Sequence, residues 1–124
     1  MGDSTTSVVK HLGFFILFAT LLCWTQAWAA DEPSSPVEEG KVIAFDRTKG
    51  NCLACHQIQG GTMTGNLGPP LSDMAKRYPD KSKLRAQIWD PTLRNPKTAM
   101  PPFGRHQILD EEEIDKVVEY IHTL

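Results

Sequence analysis

The chain has 124 residues, 23% of them charged, and a formal net charge of −2. That length accommodates one domain, and a charge so close to balance argues against a nucleic-acid binder.

Residues 1–30 read as a secretory signal peptide, leaving 31–124 as the mature domain. Lys10 and His11 precede an apolar run, Leu12 to Leu22, that is too short for a comfortable membrane span. Ala27-Trp28-Ala29 supplies small residues at the two positions a signal peptidase reads. Cys23 follows bulky Leu22, where a lipobox wants a small residue. The alternative to cleavage is an N-terminal anchor. After cleavage only Cys52 and Cys55 remain as thiols, and the protein needs no membrane contact.

Beyond a polar linker, Ser35-Pro36-Val37-Glu38 marks a helix start, with Ser35 as N-cap, Pro36 in the first turn and Glu38 closing a capping box. The helix is expected to run to about Thr48, with Gly50 ending it. Val37, Lys41, Ala44 and Phe45 are expected to share one face, the Lys41 stem lying along it. Gly40 inside this helix costs about 1 kcal/mol against alanine. It is either a tolerated surface glycine or a point of close approach by another helix.

Cys52-Leu53-Ala54-Cys55-His56 is the most specific signal in the chain. Two thiols three positions apart, followed at once by a histidine, fit covalent attachment of one haem c. Each thiol adds to one porphyrin vinyl group, and a single backbone turn spans the two. His56 then offers an imidazole nitrogen to the iron as proximal ligand. A structural zinc site wants four closed ligands, and no second cysteine pair exists. A thiol redox site does not need the histidine.

The glycine-rich stretch from Gly60 to Gly68 and Pro69-Pro70-Leu71 predict an irregular loop. Leu71 to Tyr78 predicts a short helix stopped by Pro79, and Asp80 to Trp89 another, with Leu84, Ile88 and Trp89 inward. Residues 91–104 contain four prolines and form a stiff, non-regular segment. In the last helix Asp110 caps, Glu113 closes the box, and Leu109 and Ile114 hold the staple positions. Ile114, Val117, Val118 and Ile121 make its buried stripe.

Iron held by His56 needs a sixth partner or an open site. Met63, Met74, Met100, His106 and His122 are the candidates. Met100 leads, because the flanking prolines leave its loop little entropy to lose. Met63 sits in a flexible tract, and Met74 and His122 fall on predicted helices. His106, just beyond the Met100 loop, is the rival. A neutral sulfur ligand favours ferrous iron and raises the potential, which suits an electron acceptor.

The order of helix, haem motif, Gly-Pro-x-Leu, middle helices, methionine loop and final helix resembles class I cytochromes c over Pro36 to Leu124. This resemblance implies a small all-α fold packed around one covalently bound haem. It also implies that the Pro69 carbonyl, within Gly68-Pro69-Pro70-Leu71, accepts the second ring proton of His56. An ordinary Gly-Pro turn is the plainer reading of that stretch.

The chain is more closely similar to the SoxX subunit family of SoxAX cytochrome complexes. The residues are Gly50-Asn51-Cys52-Leu53-Ala54-Cys55-His56, Gly65 to Leu71, Asn95 to Gly104, and Ile108-Leu109 through Leu124. That likeness implies a periplasmic electron-accepting subunit bound to a SoxA-type cytochrome, in a complex that oxidatively couples thiosulfate to a carrier-protein cysteine. It implies no catalytic site in this chain, and a cytochrome as the onward electron acceptor. A freely diffusing periplasmic cytochrome c is the alternative. A haem peroxidase would need an open distal site, which the Met100 loop opposes.

Between Lys76 and Arg105 lie eight basic residues, opposed by Asp80 and Asp90 alone, while acids crowd the last helix. This pattern predicts a basic rim steering a partner toward a dry contact at Pro101, Pro102 and Phe103. Two solvated faces are the plainer reading.

Overall fold

The structure, a computed structural model, describes residues 34–124. The expected signal peptide and Cys23 lie outside the described residues. Four α-helices follow in order, α1 (Pro36–Phe45), α2 (Met74–Arg77), α3 (Lys81–Trp89) and α4 (Glu111–His122). Short 3-10 turns occupy Cys52–Ala54 and Pro91–Leu93. Among the described residues there is no strand, in agreement with the all-α expectation. Among them no helix is long and apolar enough to cross a membrane.

The helix starts follow from their caps. Ser35 Oγ accepts from the Glu38 amide at 3.2 Å, and a Glu38 carboxylate oxygen accepts from the Ser35 amide at 3.0 Å. Asp110 and Glu113 repeat the same reciprocal pair at 2.8 and 3.2 Å. Each such cap contributes about 1 kcal/mol. At the other end, α1 stops at Phe45 rather than Thr48. Asp46 turns to extended backbone, and its carboxylate accepts from both the Thr48 amide and hydroxyl at 2.7 Å. That local bond competes with helix continuation.

The core gathers Ile43 and Ala44 from α1, Leu84 and Ile88 from α3, and Ile114, Val117, Val118 and Ile121 from α4, all buried. Each large aliphatic in it contributes about 1.5–3 kcal/mol of burial. Leu109 and Ile114, the staple pair, are 2% and 0% exposed.

The inner face of α1 is Val37, Gly40, Ile43 and Ala44. Lys41 lies off that face, exposed, with its ammonium 5.8 Å from the Phe45 ring centre. Gly40 explains the shift. A Cβ built there would meet the Lys116 carbonyl oxygen of α4 at 1.9 Å. The two helices therefore cross at Gly40, and the buried stripe centres on it. Phe45 meets Tyr120 edge-on at 6.1 Å, and Lys116 reaches Glu39 at 2.7 Å.

The basic stretch and the acidic helix are partners rather than opposite faces. Lys81 pairs with Glu119 at 2.6 Å, and Arg85 pairs with Asp115 at 2.6 Å and Glu111 at 3.2 Å. Arg105 pairs with Asp90 at 3.0 Å and Lys76 with Asp73 at 3.7 Å. Pro102 and Phe103 are buried, Phe103 to 8% exposure, so neither offers a dry surface to a partner. Phe103 faces inward because the chain after it turns back: the Ile108 amide bonds the Phe103 carbonyl at 2.8 Å.

Candidate functional site

The Cys52–His56 stretch is wound as one turn. Asn51 enters it in the left-handed conformation, at φ 46°, which asparagine tolerates better than most residues. The His56 amide then bonds the Cys52 carbonyl at 2.9 Å and the Cys55 amide bonds it at 3.2 Å. Both cysteines are free thiols and half-buried. Burial pushes the Cys52 thiol up to about 11, so it stays a neutral S–H at physiological pH.

The following loop is strapped across this turn. Gly65, Gly68 and Leu71 amides donate to the carbonyls of Leu53, Cys55 and Gln57 at 2.7, 2.8 and 2.9 Å. The glycines are there for contact. A Cβ at Gly65 would lie 2.0 Å from the Ala54 carbonyl oxygen, and one at Gly68 would lie 2.3 Å from His56 Cε1. His56 Nδ1 lies 2.7 Å from the Pro69 carbonyl oxygen. A carbonyl can only accept, so Nδ1 carries the proton and the Nε2 lone pair is left available to a metal.

Cys52, Cys55, His56 and Met100 all line one cavity of about 480 Å³, inside the size range of cofactor sites. Its other walls come from the core, with Met74, Leu84, Ile88, Val117 and Ile121 among them. Met100 is half-buried, its amide held by the Thr98 hydroxyl at 3.1 Å. The other candidate ligands are placed differently. Met63 is 85% exposed. Met74 lines the cavity, but its sulfur takes an Arg77 N–H at 3.1 Å. His122 Nε2 faces the Tyr78 carbonyl at 3.0 Å. His106 is exposed and outside the cavity lining. Among the described residues, no group of three or more His, Cys, Asp or Glu side chains is placed to hold a metal ion.

These features fit a covalently held haem on three independent counts. Both thiols are free, as addition to a vinyl group requires. The imidazole is oriented with one nitrogen free. Gly65 and Gly68 let the loop pack directly on the motif turn and on the imidazole, where a Cβ would clash.

Two further side chains in the cavity wall escaped the sequence reading. Gln87 places its amide nitrogen 3.9 Å from Met100 Sδ. Arg77 lines the cavity while its guanidinium donates to the Pro70 and Ser72 carbonyls at 2.8 and 3.2 Å. Gln87 did leave a trace in the sequence. It falls between Leu84 and Ile88 on the inner stripe of α3, where a polar residue stands out. Arg77 left none.

A family model described as Cytochrome c matches residues 37–124. An uncharacterized lipoprotein of Aquifex aeolicus (strain VF5) is 36% identical over 75 residues, covering 60% of this chain and 36% of that protein. The chain thus spans only about a third of that relative's length. Cytochrome c6 of Bryopsis maxima is 39% identical over 83 residues, covering 64% of this chain and 85% of that one. Among solved structures, SoxXA from P. pantotrophus is similar at a TM-score of 0.64 and 27% identity, over 70% of this chain and 80% of that one.

Proposed function

This chain belongs to the cytochrome c family, carries covalent haem c through Cys52 and Cys55, and serves electron transfer; from that premise we propose that it is the electron-accepting subunit of a SoxAX-type thiosulfate-oxidising complex. In this reading His56 and Met100 would hold the iron, and the Pro69 carbonyl orients His56. The observation that carries the ligand assignment is the shared cavity: both thiols and the imidazole of one turn, and the Met100 thioether from a separate, distant segment, converge on it.

The residues divide the work. Cys52 and Cys55 fix the haem in position, so no affinity is needed to retain it. Pro69 holds the His56 proton, which sets the ring's orientation and raises its basicity. The Met100 loop lines the same cavity, and its thioether would occupy the iron's remaining position and keep substrate from it. Arg77 lines the same cavity and would supply positive charge to a bound haem. When bound, the haem provides a one-electron couple, which a thioether ligand raises in potential.

The SoxAX assignment is supported by the likeness to SoxXA and by the cavity mouth. Leu67 and Ile108 line the cavity and are 70% and 41% exposed. They replace Phe103 as the apolar rim on which a SoxA-type cytochrome would dock. Docking there keeps the transfer distance short. The exported setting that covalent haem attachment requires is a periplasm, reached through the signal peptide at 1–30. The second reading, a freely diffusing carrier, is favoured by the cytochrome c6 relative, whose length the match nearly spans.

Co-expression with a SoxA-type cytochrome, followed by size-exclusion chromatography at rising salt, tests the choice. A fixed subunit stays in a heterodimer above about 0.5 M salt, where exposed charges are largely screened, and Leu67→Asp dissociates it. A diffusing carrier elutes alone.

A further inference from the structure

We propose that Asp90, acting through Arg105, is the positioning residue that keeps the Met100 loop closed. This rests on the reading of Met100 as the sixth ligand.

Asp90 is 5% exposed and is the one buried charged or polar residue in the core region described. Its Oδ1 accepts from the Thr92 amide at 3.0 Å and from the Thr92 hydroxyl at 2.5 Å. Its Oδ2 lies 3.0 Å from Arg105 Nη1. That same guanidinium nitrogen donates to Thr92 Oγ1 at 3.2 Å. Thr92 belongs to the turn that begins the loop, and Arg105 stands just after its end. A single side chain therefore bonds both ends of the segment that carries Met100.

The backbone repeats the closure. Gly104 and Arg105 amides both donate to the Trp89 carbonyl, at 3.2 and 3.3 Å. The Trp89 ring lies so close over Gly104 that a Cβ there would fall 2.1 Å from it. The Arg85 guanidinium lies 5.4 Å from the centre of the same Trp89 ring. Between these rivets, the loop's backbone amides bond locally, and its side-chain ties to the body are long, Gln87 to Met100 Sδ at 3.9 Å and Arg94 to the Tyr78 hydroxyl at 3.5 Å. Thr98 donates to the Asn95 carbonyl at 3.0 Å, and Met100 to Thr98. Nothing in the loop's interior ties it as firmly to the body as its two ends do.

Pinning the ends shortens the free segment, and a shorter segment has fewer conformations in which the thioether has left its place. Removing Arg105 leaves the Asp90 charge buried and half-satisfied, which is more costly than an exposed pair's loss. Opening of the loop relieves that by letting water reach the carboxylate. Opening at this point is a local event and need not unfold the helices.

The test uses the ferric holoprotein and imidazole as a competing ligand. Asp90→Asn keeps an oxygen for the Thr92 cap but removes the charge, and Arg105→Gln removes the other half of the pair from an exposed position. Each is expected to raise imidazole affinity roughly tenfold, with the double variant no further changed and Arg105→Lys close to wild type. Hydrogen exchange at the Gly104 and Arg105 amides should accelerate in step. Unchanged imidazole affinity in both single variants, even with a lowered global unfolding midpoint, overturns the proposal in favour of a merely structural pair. Met100→Ala separates the two readings. If it leaves imidazole affinity at the wild-type value, Met100 is not the displaced group, and the amide-exchange result alone decides whether Asp90 closes the loop.

Discussion

Replacing Gly68 by alanine probes the packing that orients His56. A Cβ at that position falls 2.3 Å from Cε1, 2.6 Å from Nδ1 and 2.9 Å from Nε2 of the imidazole. Its backbone poses no obstacle, since the one glycine at positive φ among the described residues is Gly60. The ring therefore has to retreat by roughly an ångström, as overpacked side chains do. That retreat breaks its 2.7 Å bond to the Pro69 carbonyl. Overpacking of this kind costs about 1–3 kcal/mol, and the hydrogen bond contributes about 1 kcal/mol more. The holoprotein should lose about 2–4 kcal/mol of stability, which for a domain of this size lowers Tm by at least about 8 °C. Because the thioethers keep the haem attached, thermal and guanidinium unfolding can be followed on the loaded protein, with absorption reporting ligation. A change smaller than about 0.5 kcal/mol with an unaltered spectrum would refute the idea that Gly68 is there to seat the imidazole.

Three further outcomes are expected. Gly40→Ala should destabilise by about 1–3 kcal/mol despite its helix-propensity gain of about 1 kcal/mol, because the new methyl meets the Lys116 carbonyl; chemical denaturation measures it, and a stabilised variant would show that α1 and α4 do not cross there. Phe103→Asp should give a protein that fails to fold, since it places a charge at a position 8% exposed; a folded monomer that has merely lost its partner would contradict that placement. The hydroxyls of Thr48, Ser82 and Thr92 hold the carboxyls of Asp46, Asp80 and Asp90 below the usual range. Groups lowered in the folded state stabilise it above their unfolded values and cease to as pH falls through the folded ones. Their contribution should therefore be constant from neutral pH down to about pH 5 and be lost below about pH 4, as urea midpoints across that range would show; stability that rose on acidification below pH 4 would count against it.

Much of this architecture was legible before any coordinates. Ser35 and Asp110 announce their helices because capping is a local matter of three or four residues. The stripe on α4 is visible because its helix is long enough to repeat. The haem motif is visible because its chemistry lies within five consecutive residues. Features that depend on a second segment were not readable in the same way. The sequence allowed two roles for Gly40, and only the passing Lys116 carbonyl decides between them. Lys81 and Arg85 looked free because their acids, Glu119, Asp115 and Glu111, are distant in sequence. Phe103 looked exposed among prolines, yet the chain folds it under. Asp46 ended α1 early through two short bonds to its side chain that helix periodicity does not register.

The central claim is that one haem c is held between His56 and Met100 for outer-sphere electron transfer. The most direct measurement is the near-infrared absorption of the ferric holoprotein, in the wild type and in Met100→Ala. The wild type should show the weak sulfur-to-iron charge-transfer band, and Met100→Ala should abolish it while opening the sixth position to small ligands. A band that survives in Met100→Ala, or a wild type that has none and responds instead to His106→Ala, would contradict the account.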